Sequence, residues 1–428
     1  MSRTIGVGML GSGTVGAAAI RLLHEHADDI ERRAGRRIEV RRVGVRDDAS
    51  ARDVPLSRDR FTTDLEAVIL EDGVDIVVEV IGGIEPARNL ILQALQAGKP
   101  VVTANKALLS EAGAELFEAA ERAGVDLAFE AAVAGGIPLI APLQRSLAGE
   151  RLSRVLGIVN GTTNYILTRM TEEGLPFEDA LAQAKELGYA EADPSADVEG
   201  YDAAAKCAIL ASIAFDAGVV ASEVYREGIA GVTGQDIEFA ARLGYVVKLL
   251  AIAELDGQDV AVRVHPAMVP ASHPLASVRD AFNAVFVEGP NIGELMFYGP
   301  GAGGRPTATA VVGDVIEVSR RLGDRRGRGT RQPRADRRLR PMEAMETQYY
   351  LLLDVADRHG VLAKIAGAFA DNRVSIKSVW QEGIGDEALI VIITHRANEG
   401  AVQGTVRDLR ALDEVLEVRS VMRVAGEE

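Results

Sequence analysis

Residues 4–16 read Thr-Ile-Gly-Val-Gly-Met-Leu-Gly-Ser-Gly-Thr-Val-Gly. The first seven suit a short buried strand, and they run without a break into Gly11-Ser12-Gly13-Thr14-Val15-Gly16. An apolar, Ala-rich helical stretch follows, from Val15 to Ala27. Gly-x-Gly-x-x-Gly between a strand and a helix is a dinucleotide-binding pattern. Its glycines allow a tight turn, a close approach of backbone to pyrophosphate, and close helix–strand packing. The helix start adds unsatisfied N–H groups and the positive end of the macrodipole. Gly11, Gly13, Thr14, Val15 and Gly16 are therefore the expected cofactor contacts. In a chain with 44 glycines the pattern alone is weak; its strand-and-helix setting gives it weight.

Working outward, strand signals recur at Ile38–Val45, Val74–Val80, Pro100–Thr103 and Val125–Glu130, with helical runs between them. That alternation predicts an α/β domain over 1–130, a Rossmann-like doubly wound parallel sheet with right-handed crossovers. Residues 131–320 read as a mixed α+β domain. It has strands at Arg154–Val159, Asp259–Val269 and Ala284–Glu288, and a long apolar helix from Gly200 to Asp216. The turn Gly301-Ala302-Gly303-Gly304 opens its last helix, about 304–320. Residues 320–340 hold ten arginines and two aspartates. Without aromatic interleaving or an amphipathic period they read as a solvated linker, 321–346, rather than a polyanion-binding arm. Residues 347–428 follow a βαββαβ order, that of a ferredoxin-like unit.

The net charge is −16. The arginine run contributes +8 of it, so the rest of the chain carries −24. Such acidity argues against nucleic-acid partners. One cysteine, Cys207, excludes a disulfide framework, and the six histidines lack ligand spacing, which argues against zinc. No uncharged stretch is long and unbroken enough to span a bilayer, and no signal peptide is recognisable. A cytoplasmic protein without membrane partners is expected.

Forty basic residues are arginine and seven are lysine, so each lysine is informative. Lys106 follows Val101-Val102-Thr103-Ala104-Asn105, at the carboxyl edge of a predicted strand, where ligands bind in such sheets. Asp202 and Lys206 are four residues apart, on one helix face. The residues around them are almost wholly apolar, which predicts a buried pair whose protonation can be tuned for proton transfer. Arg46, at the end of the second strand, suits a 2′-phosphate and points to NADP(H). Asp47 beside it keeps NAD(H) open.

Several blocks, in order, closely resemble the homoserine dehydrogenase family. They are the glycine turn, Val-Thr-Ala-Asn-Lys (102–106), Glu-Ala-Ala-Val-Ala-Gly-Gly-Ile-Pro (130–138) and Asn-Gly-Thr-Thr-Asn-Tyr-Ile-Leu (160–167). The stretch from Glu191 to Lys206 and Gly-Ala-Gly-Gly-Arg-Pro-Thr-Ala (301–308) complete them. The last unit resembles an ACT domain, opening on Asp354 to Leu362. No kinase-like region precedes the glycine turn, which points to the monofunctional form.

The resemblance implies NAD(P)-linked interconversion of L-homoserine and L-aspartate 4-semialdehyde, with residues 131–320 as the substrate-binding, catalytic and dimerisation domain. Lys206 would be the acid/base and Asp202 its partner; Lys106 would touch cofactor and substrate. Glu191 would hold the substrate ammonium, with Gly188 and Asp197 as further substrate contacts. Thr103, Asn105 and Gly303 would add cofactor contacts. Glu130 and the main-chain oxygens of Val133, Gly135 and Ile137 match the family's monovalent-cation site (Na+ or K+), although a plain glycine-rich bend is the alternative there. An amino-acid effector at the ACT domain, L-threonine in the first instance, and a homodimer or homotetramer are also implied. A dinucleotide-binding sensor without turnover, and a reductase of another small aldehyde, are the competing readings.

Overall fold

The computed structural model describes residues 3–48, 53–322, 337–384 and 387–425. They group into two units, 1–152 with 205–223 and 283–337, and 153–204 with 224–282 and 338–428.

The first unit is built on six parallel strands, β1 (Ile5–Leu10), β2 (Ile38–Gly44), β3 (Phe61–Thr62), β4 (Ile76–Glu79), β5 (Val101–Thr103) and β6 (Leu127–Ala128). They lie in the order β3-β2-β1-β4-β5-β6, so the winding reverses beside β1, between β2 and β4. Such a switch point opens a crevice at the carboxyl ends of the strands. Every residue of β1 is buried. Helix α1 (Thr14–Glu25) and the helix Gly304–Arg321 share one core with the sheet, in which Ala19 and Ile20 join Val311, Val312 and Val315. The predicted strand 125–130 shortens to Leu127–Ala128, because Glu130 already begins a tight helical turn. Strand Gly293–Pro300, absent from the sequence reading, neighbours Phe282–Gly289.

In the second unit one sheet runs through seven strands. Their order is Arg154–Ile158, Tyr245–Asp256, Asp259–Pro270, Val415–Val424, Glu346–Ala356, Glu387–Thr394 and Ile376–Ile384. Tyr245–Asp256, also missed from sequence, pairs with Asp259–Pro270 over its whole length. Val247 and Leu249 to Ala253 are all buried, so the alternation that marks a half-exposed strand is missing. One edge of Asp259–Pro270 is covered in series by three parallel pieces: Arg338–Leu339, Tyr225–Arg226 and Arg423–Val424.

The C-terminal βαββαβ order is as read, with helices Val361–Asp371 and Glu399–Arg410 and a core containing Tyr349, Leu351, Ile365, Phe369 and Val402. Most of the arginine run (323–336) lies outside the described residues. Its end is ordered, since Arg338–Leu339 joins the sheet. Trp380 is about half exposed, and its indole N–H donates to Glu382.

Candidate active site

The turn after β1 has the geometry that an anion needs. Gly11 has φ +108°, and a Cβ there would lie 2.8 Å from the Val80 carbonyl oxygen. A Cβ on Gly16 would sit 2.4 Å from the Gly11 carbonyl oxygen, so both must be glycine. Gly13 faces open space. It caps α1 without a side-chain hydrogen bond, and the first turn of α1, which begins Thr14-Val15-Gly16, carries no acidic residue. Uncapped N–H groups and a dipole without a compensating carboxylate leave an anion-binding helix start. Gly11 N–H donates to the Gly44 carbonyl (2.9 Å), so the end of β2 lies beside the turn. Arg46 is exposed two residues further on. Gly303 has φ +124° and precedes the helix Gly304–Arg321; a Cβ on Gly304 would be 2.9 Å from the Thr14 side chain. The second glycine turn therefore abuts the first.

At the end of β5 the polar side chains are busy with one another. The Thr103 hydroxyl donates to Glu79 (2.6 Å), whose carboxylate also accepts from Ile81 N–H and Gly82 N–H. Asn105 caps the helix Lys106–Ala123 by accepting from Leu108 N–H, and its amide donates to the Gly83 carbonyl. Thr103 and Asn105 thus fix the 81–83 loop and the helix start through their side chains. Glu79, fully buried, is the member that sequence reading missed. Lys106 is exposed at the first position of its helix. A cation there opposes the macrodipole, an unfavourable placement for a purely structural lysine.

On the substrate side, Asp202 and Lys206 stand one turn apart on the helix Tyr201–Phe215, both at least nine-tenths buried. Ala203, Ala204, Cys207 and Ala208 around them are buried, as the apolar flanks predicted. Asn160 gathers the carboxylates: its amide donates to Asp197 (2.7 Å) and to Asp202 (2.9 Å). Its oxygen caps the helix Gly161–Glu173 through Thr163 N–H. In the sequence Asn160 stands only as the first residue of the block 160–167. The signal was there, an asparagine directly before a helical run. Thr162 donates to the Tyr189 carbonyl (2.6 Å), which anchors the loop running from Gly188 (φ +76°) to the exposed Glu191.

Asn164 serves the interior of the second unit. It donates to the carbonyls of Val278, Asp280 and Phe282 and accepts from Lys248 (3.0 Å). Burial brings the Lys248 ammonium down to about 8, against the attraction of Glu172 and Asp280.

Glu130 is buried, and its carboxylate accepts from Leu139, Ile140 and Ala141 N–H. Its own N–H donates to Asp314 (2.8 Å), a carboxyl that burial pushes up to about 7. The bend between has Ala134 at φ +52°, with its carbonyl accepting from Ile137 N–H. Gly135 and Gly136 pack against Thr307 and Pro300, where a Cβ would be 2.7 and 2.6 Å from an oxygen. A donor set of one carboxylate and main-chain oxygens would suit a hard monovalent cation, not a transition metal. Among the described residues no group of three or more His, Cys, Asp or Glu is placed to hold a metal ion.

A glycine turn at a sheet's switch point, followed by an uncapped helix start, is the arrangement of dinucleotide-binding proteins. Comparison with known proteins narrows the class. The homoserine dehydrogenase profile matches residues 138–316, and the profile of that enzyme's NAD-binding domain matches residues 11–130. An ACT domain profile matches residues 349–414. Homoserine dehydrogenase of Mycobacterium tuberculosis is 51% identical, covering 99% of this chain and 98% of the relative. The crystal structure of a homoserine dehydrogenase from Thiobacillus denitrificans superposes with a TM-score of 0.93 at 43% identity, covering 99% and 98% of the two chains. A hyperthermophilic archaeal homoserine dehydrogenase in complex with NADPH gives 0.62 at 29% identity, covering 74% of this chain and 98% of that one. The chain belongs to the homoserine dehydrogenase family and carries a C-terminal ACT domain. It is an oxidoreductase acting on a CH–OH group with a nicotinamide cofactor.

Proposed function

We propose that the chain interconverts L-aspartate 4-semialdehyde and L-homoserine with NADP(H), in the biosynthesis of threonine, methionine and isoleucine. The observation that carries this reading is the buried Asp202–Lys206 helix face, tied through Asn160 to Asp197. The nicotinamide supplies or accepts the hydride. Lys206 donates a proton to the oxygen that becomes the homoserine hydroxyl, and takes it back in the reverse direction. Asp202 orients the ammonium, and Asn160 holds Asp202 in place. Glu191 pairs with the substrate's ammonium, with Gly188 and Asp197 shaping the same loop. Lys106 contacts both cofactor and substrate, and Thr103 and Asn105 set its position.

Arg46 takes the 2′-phosphate, the basis for NADP(H) over NAD(H). Glu130 and the main-chain oxygens of Val133, Gly135 and Ile137 hold a monovalent cation, which stiffens the bend beside Pro300 and Thr307. The ACT domain binds an amino-acid effector, L-threonine, in a homodimer or homotetramer. No helix of the described residues is long and apolar enough to cross a membrane.

The test is NADPH oxidation with L-aspartate 4-semialdehyde, with and without L-threonine. Wild type turns over and is inhibited by threonine, and Lys206→Ala loses kcat by at least about 10²-fold, the scale of one general acid. An unchanged kcat in that variant refutes the assignment of Lys206. Binding of cofactor without oxidation would favour the sensor reading instead.

A further inference from the structure

The strand Val415–Val424 lies on the open edge of Asp259–Pro270, directly after Tyr225–Arg226 on the same edge. This places Arg423 beside the segment that follows Tyr225. Its guanidinium, 5% exposed, makes a fork with Glu399, Nε to Oε2 at 2.8 Å and Nη2 to Oε1 at 2.7 Å. Glu399 also accepts from the Tyr349 hydroxyl (2.6 Å) and from Gln403 (2.8 Å). Despite burial, these donors hold its carboxyl below the usual range. Within the C-terminal body, then, the arginine already has a complete partner. Its remaining Nη1 reaches out to Glu227 Oε2 at 2.9 Å. Glu227 also accepts from the Tyr225 hydroxyl.

Glu227 sits in a segment clamped onto the substrate loop. Its N–H donates to Val264. Gly228 is pressed so closely onto the loop that a Cβ would lie 2.2 Å from the Val198 carbonyl oxygen. Ile229 N–H donates to that same carbonyl (2.8 Å). Arg226 donates to the Glu199 carbonyl (3.2 Å) and lies 3.3 Å over the Tyr201 ring. Residues 198–201 are the chain between Asp197 and Asp202, the two carboxylates held by Asn160. An unbroken set of contacts therefore leads from Arg423 to those carboxylates.

We propose that Arg423 and Glu227 are positioning residues for the substrate loop, so that the last strand of the ACT domain holds Asp197 and Asp202 in register. The inference rests on the reading that this loop serves the amino-acid substrate. A buried ion pair is weak evidence of stabilisation by itself. Here the third arginine donor is spent outside the body whose fold the Glu399 fork completes, on a carboxylate whose side chain is 37% exposed.

The experiment uses the full chain with Glu227→Ala, Arg423→Lys and the double variant. The KM for L-homoserine rises at least fivefold in each single variant while the KM for NADP+ stays within twofold. The double variant is no worse than the poorer single one, as members of one coupled unit behave. Amide exchange over residues 198–202 speeds at least tenfold in Glu227→Ala and is unchanged over β1. Equal rises in both KM values, or exchange over 198–202 within twofold of wild type, overturn the inference. Glu227→Ala decides the matter if Arg423→Lys fails to fold. If the wild type turns over neither substrate, the functional reading falls, and the exchange measurement still decides this one.

Discussion

Single side chains here do two jobs at once, and Asn160 shows it best. One amide end holds Asp197 and Asp202, and the oxygen end caps a helix. Asn160→Ala should cost about 1–2 kcal/mol of stability from the lost cap and hydrogen bonds. It should also lower kcat/KM for homoserine by at least about tenfold, since two carboxylates lose a common anchor. Denaturation and steady-state kinetics on one preparation check both, and wild-type kinetics with lowered stability would make the residue merely a cap. Lys248 gives a pH prediction. Its folded value of about 8 lies below the ordinary 10.5, so between these values the unfolded chain binds more protons. Stability from this group therefore rises with pH from about 8 to about 10.5. Below that window the buried charge is a constant penalty. The difference in unfolding free energy between wild type and Lys248→Met should climb across the window, and a flat difference refutes the prediction. Lys106, Asp202 and Lys206 stood out in sequence because lysine is scarce and their neighbours are apolar. Glu79 and Lys248 did not, because the Thr103 hydroxyl and the Asn164 side chain that meet them lie 24 and 84 residues away.

At the scale of the element, the β1 turn separates two demands on glycine. Gly16 is needed for the fold: a methyl 2.4 Å from the Gly11 carbonyl oxygen forces α1 away from the turn. Gly16→Ala should therefore lose both stability, by about 1–3 kcal/mol, and cofactor binding. Gly13 has φ −75° and nothing within 4 Å of its added Cβ. Gly13→Ala should unfold within about 0.5 kcal/mol of wild type. It should still raise the KM for NADPH at least tenfold, because the methyl occupies the path of the pyrophosphate. Equal KM values would mean that the phosphates do not approach Gly13. This element was legible in sequence because its requirements are local, spanning six residues. Tyr245–Asp256 was not, since a strand covered on both faces has the same apolar pattern as a buried helix segment.

For the whole molecule, the βαββαβ unit at the C-terminus is readable by its order, but its junction is not. Arg423 and Val424 pair with Ala267 and Met268, and Ala425 N–H donates to Met268. A chain ended at residue 346 therefore exposes a strand edge and strips Glu227 of its arginine. Such a truncation should lower Tm by several degrees and raise the KM for homoserine, rather than simply abolish an effector response. A truncated enzyme with wild-type Tm and KM would refute this, so effector responses are better dissected with point variants in the full chain. By itself the sequence determined the glycine turn, the parallel α/β order, the lysine–aspartate helix face and the C-terminal unit. Each is set by residues close in the chain, through spacing, glycine stereochemistry and apolar period. The tertiary structure alone decided which partners complete those elements: Asn160 between two aspartates, Glu79 under Thr103, Asp314 on Glu130, and Arg423 reaching Glu227. Those pairings join residues separated by as many as 196 positions, and a hydrogen bond or ion pair leaves no periodic trace in the chain that forms it.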